Sequence, residues 1–427
     1  MVSLIKERND MTERERFLEV MVNFNPRVPA LKWEFGYWGE TMNNWYRQGL
    51  PKRDFARIPT EYTTPSSSIY TRSWITENKY VAPGEYPKGF VIMAGGLYWP
   101  TQGFAKDNDV SAHFHMDHTQ RLVDLNLFFH PMFDVEVLEE DDDKLKYIDL
   151  DGVTRLFLKE SATMAAGWEW PIKDKKSWEK LKEERINTGR ILERLPADWK
   201  EKAAEYKSRT YPLGIGGYPM GFFGTLAHLI GYDNLFYMYY DDPALVHDIL
   251  DTFTNLWIAV FEEVLADVEI DHIQIWEDIS FGSGSMLSEA LMREFMLPYY
   301  KRLVEFVKGR GVKVVLVDTD GDCNKIIPFF IECGATGMYP FEVNCGMDVL
   351  KVRKDFPGLA LMGGISKSLI AQGREQIDIQ LEKVRATLKT GGYIPYMDHF
   401  APPDVNFSEF SYYRTRLNDI IEETTRA

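Results

Sequence analysis

The feature of this chain that most constrains its fold is a repeated pattern in which short apolar runs end on polar residues. Four such runs occupy residues 272–276, 312–317, 335–340 and 392–397. The acids and the histidine that follow them within three residues are Glu277, Asp278, Asp318, Asp320, Glu342 and His399. Patterns typical of helices separate the runs. Strands that alternate with helices form parallel sheets, and polar groups at consecutive strand ends are typical of a site at the carboxyl-terminal rim of a barrel.

We therefore predict an α/β fold, a single (β/α)8 TIM barrel over residues 1–427, with an N-terminal helical extension and a long insertion. Thr12 and Glu15 form the pattern of a capping box, which predicts a short opening helix. Residues from about 60 to 110 are rich in Ser, Thr, Gly, Pro and Tyr, and we expect this insertion to cover one end of the barrel. Residues from about 132 to 160 alternate around acidic turns, which predicts a small β-hairpin.

The composition excludes several classes of partner. A net charge of −16 and a pI near 5.1 disfavour nucleic acids and anionic membranes, because a phosphate-binding face needs clustered Lys and Arg. No apolar stretch in the sequence reads as a membrane span. The chain has three cysteines, which is an odd number and few for its length. This indicates a reducing compartment and no structural disulfides. We expect a soluble, cytoplasmic protein, and the sequence leaves its oligomeric state open.

The pair Asp318 and Asp320 is the strongest candidate for chemistry. Alternate residues that leave a strand point the same way, so both carboxylates can converge on one point. Two carboxylates that approach closely share a proton, hold a metal or bind a cation. The alternative is a turn in which Asp320 and Gly321 supply left-handed backbone geometry.

Four further groups belong to the predicted site. Glu277 and Asp278 precede a glycine-rich loop and suit a functional acid pair, although such acids also cap loop amides. His399 follows Asp398, which could fix its tautomer or raise its pKa, and a purely structural histidine is the alternative. Glu342 is a second-rank polar group. The aromatic residues predicted to line the pocket, unless they belong to the ordinary core, are Trp33, Tyr37, Trp276 and Tyr396.

Together these stretches resemble the uroporphyrinogen decarboxylase-like superfamily of single (β/α)8 barrels. That superfamily includes the decarboxylase and the cobalamin-dependent methyltransferases. The matching stretches are residues 33–38, 171–178, 241–243, 277–279, 287–300, 318–321, 340–342, 363–365 and 391–404.

The resemblance argues against the decarboxylase reaction on porphyrinogens. That branch binds a polycarboxylate through paired arginines in an N-terminal Met-Arg-Gln-Ala-Gly-Arg stretch, where this chain has Glu34 to Trp38. An acid and aromatic residues cannot pair with carboxylates. We therefore expect Glu34 to repel uroporphyrinogen, which should not be a substrate.

The methyltransferase branch carries His-x-Cys-Gly where this chain has Asp318-x-Asp320-Gly321, and a third zinc ligand, Cys, where it has His399. Asp318, Asp320 and His399 are thus the implied ligands of a possible zinc ion, since two carboxylates and one histidine are acceptable ligands. The same three residues could instead act without metal as an acid/base cluster.

The resemblance favours a methyltransferase that moves a methyl group from a small methylated compound, which could be an aromatic O-methyl compound, to cob(I)alamin on a partner corrinoid protein. Asp318, Asp320 and His399 would assist the leaving group, with Glu277, Asp278 and Glu342 around them. Two alternatives stay open at this point. One is a lyase that acts on a small carboxylated substrate, and the other is a non-catalytic tetrapyrrole-binding barrel.

Overall fold

The computed structural model describes residues 11–52, 58–59, 80–81, 84–86, 89, 91–94, 105–117, 121–159, 165–186 and 188–424. The strands in these ranges are β1 (Gly36–Trp38), β2 (Ile58–Pro59), β3 (Tyr80–Val81), β4 (Val91–Met93), β5 (Ala105–Lys106), β6 (Arg121–Leu122), β7 (Glu136–Glu140), β8 (Lys144–Ile148), β9 (Thr154–Leu158), β10 (Ala166–Glu169), β11 (Leu213–Gly216), β12 (His272–Trp276), β13 (Ser280–Phe281), β14 (Gly284–Ser285), β15 (Val314–Thr319), β16 (Gly337–Pro340), β17 (Ala360–Met362) and β18 (Tyr393–Ile394). Most of the predicted insertion at 60–110 lies outside the described residues.

The α-helices in the same ranges are α1 (Glu13–Met21), α2 (Gly39–Arg47), α3 (Asp109–His113), α4 (Lys175–Arg185), α5 (Trp199–Lys207), α6 (Phe222–Ile230), α7 (Tyr232–Asp241), α8 (Pro243–Asp267), α9 (Glu289–Leu291), α10 (Leu297–Gly309), α11 (Ile327–Glu332), α12 (Val349–Asp355), α13 (Lys367–Ile370), α14 (Arg374–Leu388) and α15 (Phe407–Thr424). A π-helical turn, Met292–Met296, precedes α10, and 3-10 turns span Thr188–Arg194 and Val343–Cys345. Helix α1 begins at the predicted capping box, with both reciprocal hydrogen bonds formed between Thr12 and Glu15.

The central sheet is parallel. Its strands follow the order β18-β17-β16-β15-β12-β11-β6 within the described part of the chain, and every pairing in it is parallel. The register places Trp276 beside Asp318, and Asp318 beside Tyr339. Because side chains alternate along a strand, Val314, Leu316 and Asp318 share one face of β15. The carboxyl ends of β12, β15, β16 and β18 therefore lie side by side.

The two faces of the sheet belong to two apolar cores. One face, here called the inner face, contributes Leu316, Tyr339 and Tyr396 to a cluster that α1 also enters through Phe17. The other face packs against the helices through residues such as Val315 and Val317. Seven strands form the hydrogen-bonded ladder in the described ranges, and a parallel bridge from Tyr37 to Ala401 brings β1 beside the end of β18. Closure into an eight-stranded barrel stays a prediction.

Strands β7 to β10 form a separate antiparallel meander that covers part of the predicted hairpin region and extends beyond it. Leu145, Tyr147 and Phe157 of the meander are buried in the same cluster as the inner face of the sheet. Tyr218, which follows β11, packs against that cluster. The meander therefore lies over the end of the sheet that carries the predicted site.

Helix α8 is the one helix in the described residues that is long and apolar enough, by length and composition, to cross a membrane. The sequence alone did not single it out. More than half of its apolar window, 56%, is buried inside the fold, as in a core helix. Asp242 caps it by accepting a hydrogen bond from the amide of Leu245, and Pro243 occupies its first turn.

A buried ion pair fastens the C-terminal helix to the strand segment that precedes β1. The side chains of Glu34 and Arg414 are both fully buried, with Oε2 and Nη1 3.5 Å apart. Arg414 also donates to the carbonyl of Trp33, and Tyr413 donates to Glu34. Glu34 Oε1 accepts the amide of Met397 at 2.7 Å, two residues before His399. The pair thus stabilises the segment around Met397, which leads to His399 at the predicted site.

We predict that Arg414→Met lowers the free energy of unfolding by about 3–5 kcal/mol, because it leaves the Glu34 carboxyl buried without its cation. Urea denaturation measures this difference. The control is Arg416→Met, which removes a half-exposed pair with Asp419 and should change stability by less than about 1 kcal/mol. Equal losses in the two variants would contradict a special role for the buried pair.

Candidate active site

The site lies where the loops that follow β12, β15, β16 and β18 meet. Asp278 follows β12 in a left-handed backbone conformation (φ 45°). Its amide and that of Glu277 both donate to the carbonyl of Asp318. Gly321, with φ 75°, follows Asp320, and a Cβ at this position would lie 2.5 Å from the carbonyl oxygen of Ser280. Only glycine therefore lets the Asp320 loop pass so close to the loop that carries Asp278.

Asp320 and His399 form an ion pair at the mouth of the site. His399 Nε2 lies 3.5 Å from Asp320 Oδ2, and both side chains are partly accessible. Phe35 stacks on the imidazole with ring centroids 4.7 Å apart. Burial alone would raise the pKa of Asp320, but the charges of His399 and Lys367 outweigh it and hold that pKa below its usual range. Asp320 is therefore the ionised carboxylate of the site.

Asp278 and Asp318 behave in the opposite way. Burial, together with the negative charges of Asp320 and Glu342, raises the pKa of Asp278 to about 8. Burial and the charges of Asp320 and Asp278 raise the pKa of Asp318 well above its usual range, although a hydrogen bond with Tyr339 opposes the shift. At neutral pH the Asp278 carboxyl is therefore largely protonated. Asp278 is half-buried, and its side chain makes no hydrogen bond to a described residue.

The sequence analysis did not predict the ion pair between Lys367 and Glu342, which stabilises the loop that follows Asp320. Lys367 Nζ lies 3.0 Å from Glu342 Oε1, and Glu342 Oε2 accepts the amide of Gly321. Asp398 is buried and accepts the amides of Lys367 and Val343. Lys367 escaped notice because the apolar run before it ends on glycines rather than on a polar residue. The available signal was Ser366, which caps the helix that Lys367 begins.

Glu277 lies apart from this cluster. Its carboxylate is fully buried and accepts hydrogen bonds from the amides of Phe222, Phe223 and Gly224 at the start of α6. The hydroxyl of Tyr300 donates to the same carboxylate. Glu277 therefore stabilises the N-terminus of α6, which corresponds to the capping alternative for this acid.

The predicted aromatic walls divide into two pairs. Trp33 is buried against Phe17, and Tyr37 packs against Trp45 and Phe410, so neither lies at the strand ends that form the site. Trp276 and Tyr396 do lie there. Trp276 is half-buried and stands edge to face against Tyr218 at 4.6 Å. Tyr396 is fully buried on the inner face, and the charge of Asp318 contributes to raising the pKa of its hydroxyl, after burial itself.

Glu34 does not line the pocket, and the expectation that it repels a carboxylated substrate is wrong. The reason is the buried pair with Arg414, which turns the carboxylate away from the site and toward the C-terminal helix. The paired arginines of the decarboxylase branch are nevertheless missing from this stretch of sequence.

The donor set does not fit the implied zinc site. The described residues contain no group of three or more His, Cys, Asp or Glu side chains placed to hold a metal ion. Of the three implied ligands, Asp320 and His399 face each other, and Asp318 does not complete a group of three with them.

With this geometry in hand, the comparisons with known proteins decide the family. The family model described as uroporphyrinogen decarboxylase (URO-D) matches residues 201–414, half of the chain. The chain belongs to the URO-D family. The matched part includes β11 through β18 and therefore every acid of the site, His399 and Lys367.

Two individual relatives show the degree of sequence identity. The uroporphyrinogen decarboxylase of Chlorobium limicola is 26% identical over 174 residues, 40% of this chain and 47% of that protein. The enzyme of Chlorobium luteolum is 29% identical over 176 residues, with the same coverage. The chain thus spans about half the length of the curated relatives it matches. Among solved structures, a methyltransferase from Methanosarcina mazei is 16% identical, with a TM-score of 0.45 over 62% of this chain and 74% of that one.

We predict that Gly321→Ala costs about 1–3 kcal/mol of stability, because the new Cβ meets the Ser280 carbonyl and the backbone is left-handed. Thermal or urea unfolding measures the loss. Gly358→Ala is the control, since a Cβ there meets no atom within 4 Å. A neutral Gly321→Ala would contradict the close packing of the Asp278 and Asp320 loops.

Proposed function

We propose that this protein is a corrinoid-dependent methyltransferase built on a (β/α)8 barrel. It moves a methyl group from a small O-methylated compound to cob(I)alamin carried by a separate corrinoid protein. The observation that carries the proposal is the partly accessible Asp278 carboxyl, whose pKa is raised to about 8, beside an Asp320 carboxylate that lies 3.5 Å from His399. A site with a poised proton donor suits a reaction whose leaving group is an oxygen.

The role of the site is to improve that leaving group. The reduced corrinoid supplies the electron pair that forms the new bond to the methyl carbon. As the C–O bond breaks, its electrons move to the oxygen, which takes the proton of Asp278. The acid is left as a carboxylate and regains a proton from solvent. A positioned acid of this kind contributes about 10²–10⁴-fold to the rate.

The neighbouring residues keep Asp278 in its acid form. The Asp320 carboxylate repels a second negative charge, and so does Glu342. His399 and Lys367 hold these two carboxylates in place through ion pairs of 3.5 and 3.0 Å. Asp318 lies deeper in the site, where burial and the charges of Asp320 and Asp278 raise its pKa, and Trp276 offers an apolar wall to the substrate. No step of this proposal requires zinc.

A second candidate is a lyase that acts on a small carboxylated substrate. It is favoured by the curated relatives, which carry the name uroporphyrinogen decarboxylase. The same proton donor would serve it, since a carbanion left by decarboxylation must be protonated. The two candidates differ in what they consume: only the methyltransferase requires a reduced corrinoid.

We predict that Asp278→Asn, or Ala at Asp320 or His399, lowers methyl transfer by about 10²–10⁴-fold. The assay mixes the protein with reduced corrinoid and a panel of methyl ethers and records the methylated corrinoid by its absorbance. Asp404→Asn, at an exposed position, is the control. Wild-type rate in the Asp278 variant would reject the general-acid role.

The pH dependence gives a separate test. The acid form of Asp278 is present below its pKa of about 8, so the rate should be flat near neutral pH and fall as the pH rises through that value. Asp278→Asn should remove this alkaline limb from its residual rate. A rate that rises through pH 8 would mean that a base, not an acid, limits the reaction.

We also predict that uroporphyrinogen is not decarboxylated. Its carboxylates need several cationic partners, and the N-terminal arginine pair of the decarboxylase branch is missing. Product analysis after incubation with uroporphyrinogen should show no conversion. Turnover of about 1 s⁻¹ or faster, a rate ordinary for enzymes, would promote the lyase candidate instead.

A further inference from the structure

A buried polar network lies beside the site and has no part in the steps above. It consists of Asp149, Asp151 and Arg155 from the meander, His228 from α6, and Tyr218 between them. Arg155 is on the face of the meander that also carries Tyr147, its cross-strand neighbour, and Tyr147 is buried in the inner-face cluster. Arg155 therefore projects from the underside of the meander toward the sheet end that forms the site.

Two hydrogen bonds fix the guanidinium. Its Nε donates to Asp149 Oδ2 at 2.9 Å, and its Nη2 donates to His228 Nδ1 at 3.1 Å. Because a guanidinium only donates, Nδ1 of His228 must accept, and the proton of the ring is on Nε2, which donates to Asp151 Oδ2 at 2.8 Å. Burial and the charge of Arg155 lower the pKa of His228 to about 3, so the imidazole stays neutral.

The third nitrogen of Arg155 is left for a ligand. Nη1 makes no hydrogen bond to any described residue, and 15% of the side chain is accessible. The guanidinium interacts electrostatically with the Tyr218 hydroxyl: the charge of Arg155 lowers the pKa of that hydroxyl, and the charge of Asp278 raises it. Tyr218 in turn contacts His228 and Trp276 through its ring, at 5.8 and 4.6 Å. A fixed cation, a phenol and an indole thus follow one another from the meander to Trp276, two residues before Asp278.

The charges around this edge permit an anion. Among the described residues, Asp149 is the one carboxyl group hydrogen-bonded to Arg155, and its Oδ1 is occupied by the amides of Asp151 and Val153. Burial raises the pKa of Asp151 to about 7, and Asp278 is largely protonated near neutral pH. An anion bound here would raise the pKa of Asp278 further and so favour its proton-donor form.

From this arrangement we propose that Arg155 and Tyr218 form a subsite for the carboxylate of the substrate, which is a small organic acid whose apolar body lies against Trp276. Arg155 is already oriented by Asp149 and His228, so little side-chain entropy is lost when the anion binds. The inference rests on the proposed function only for the location of the pocket. It concerns binding and holds for a methyl donor or for a lyase substrate.

The test is binding of benzoate and of benzamide, its neutral analogue, to the full chain by isothermal titration calorimetry at pH 7. Benzoate should bind wild type at least about tenfold more tightly, as expected for charge-assisted hydrogen bonds. Arg155→Gln should abolish this preference, and Arg155→Lys, which keeps the charge without the fork, should retain only part of it. Arg302→Gln, on the surface beside Asp251, should preserve it fully.

The ratio of the two affinities stays informative if a variant is less stable, because misfolding weakens both ligands alike. Equal binding of benzoate and benzamide to wild type would overturn the proposal, and so would an undiminished preference in Arg155→Gln. Because no methyl transfer is measured, a negative corrinoid assay with a positive benzoate result would reject the proposed reaction and keep the subsite.

Discussion

The site depends on one electrostatic constraint. The ends of neighbouring parallel strands bring several aspartate carboxyl groups together at a poorly solvated rim, where they cannot all be ionised. Asp278, Asp318 and Asp320 follow neighbouring strands, so their charges repel one another in a medium that solvates them poorly. His399 and Lys367 stabilise the charge on Asp320. The pKa values of Asp278 and Asp318 are instead raised, to about 8 for Asp278. An acid cluster with unequal partners therefore yields a proton donor at neutral pH without any special chemistry in the donor itself.

Many acids of the fold are structural anchors, and they share a recognisable environment. Glu277 accepts the amides at the start of α6, Asp398 accepts those of Val343 and Lys367, and Asp149 accepts two amides of its own turn. In each case the carboxyl group is buried and accepts at least two backbone amides. Asp278 differs because its side chain has no such partner among the described residues. The absence of backbone partners, more than burial, separates the proposed acid Asp278 from these anchors.

The sequence predicted those parts that follow from strand periodicity. Apolar runs that end on acids placed Asp278, Asp318, Asp320 and His399 at one rim, because the carboxyl ends of parallel strands meet there. Periodicity does not determine what a side chain touches across the fold. Glu34 pairs with Arg414, 380 residues away in the sequence, and no local pattern connects them. Arg155 was missed for the same reason, since its contact with His228 depends on how the meander packs against α6.

The central claim is that a carboxyl group at this rim holds its proton at neutral pH. NMR titration of protein labelled with ¹³C at the aspartate carboxyl carbons measures this directly, and comparison with Asp278→Asn assigns the resonance. Because Asp278 is buried beside the charges of Asp320 and Glu342, its resonance should titrate with a pKa of about 8. A titration near pH 4, the value of an ordinary solvated aspartate, would contradict it.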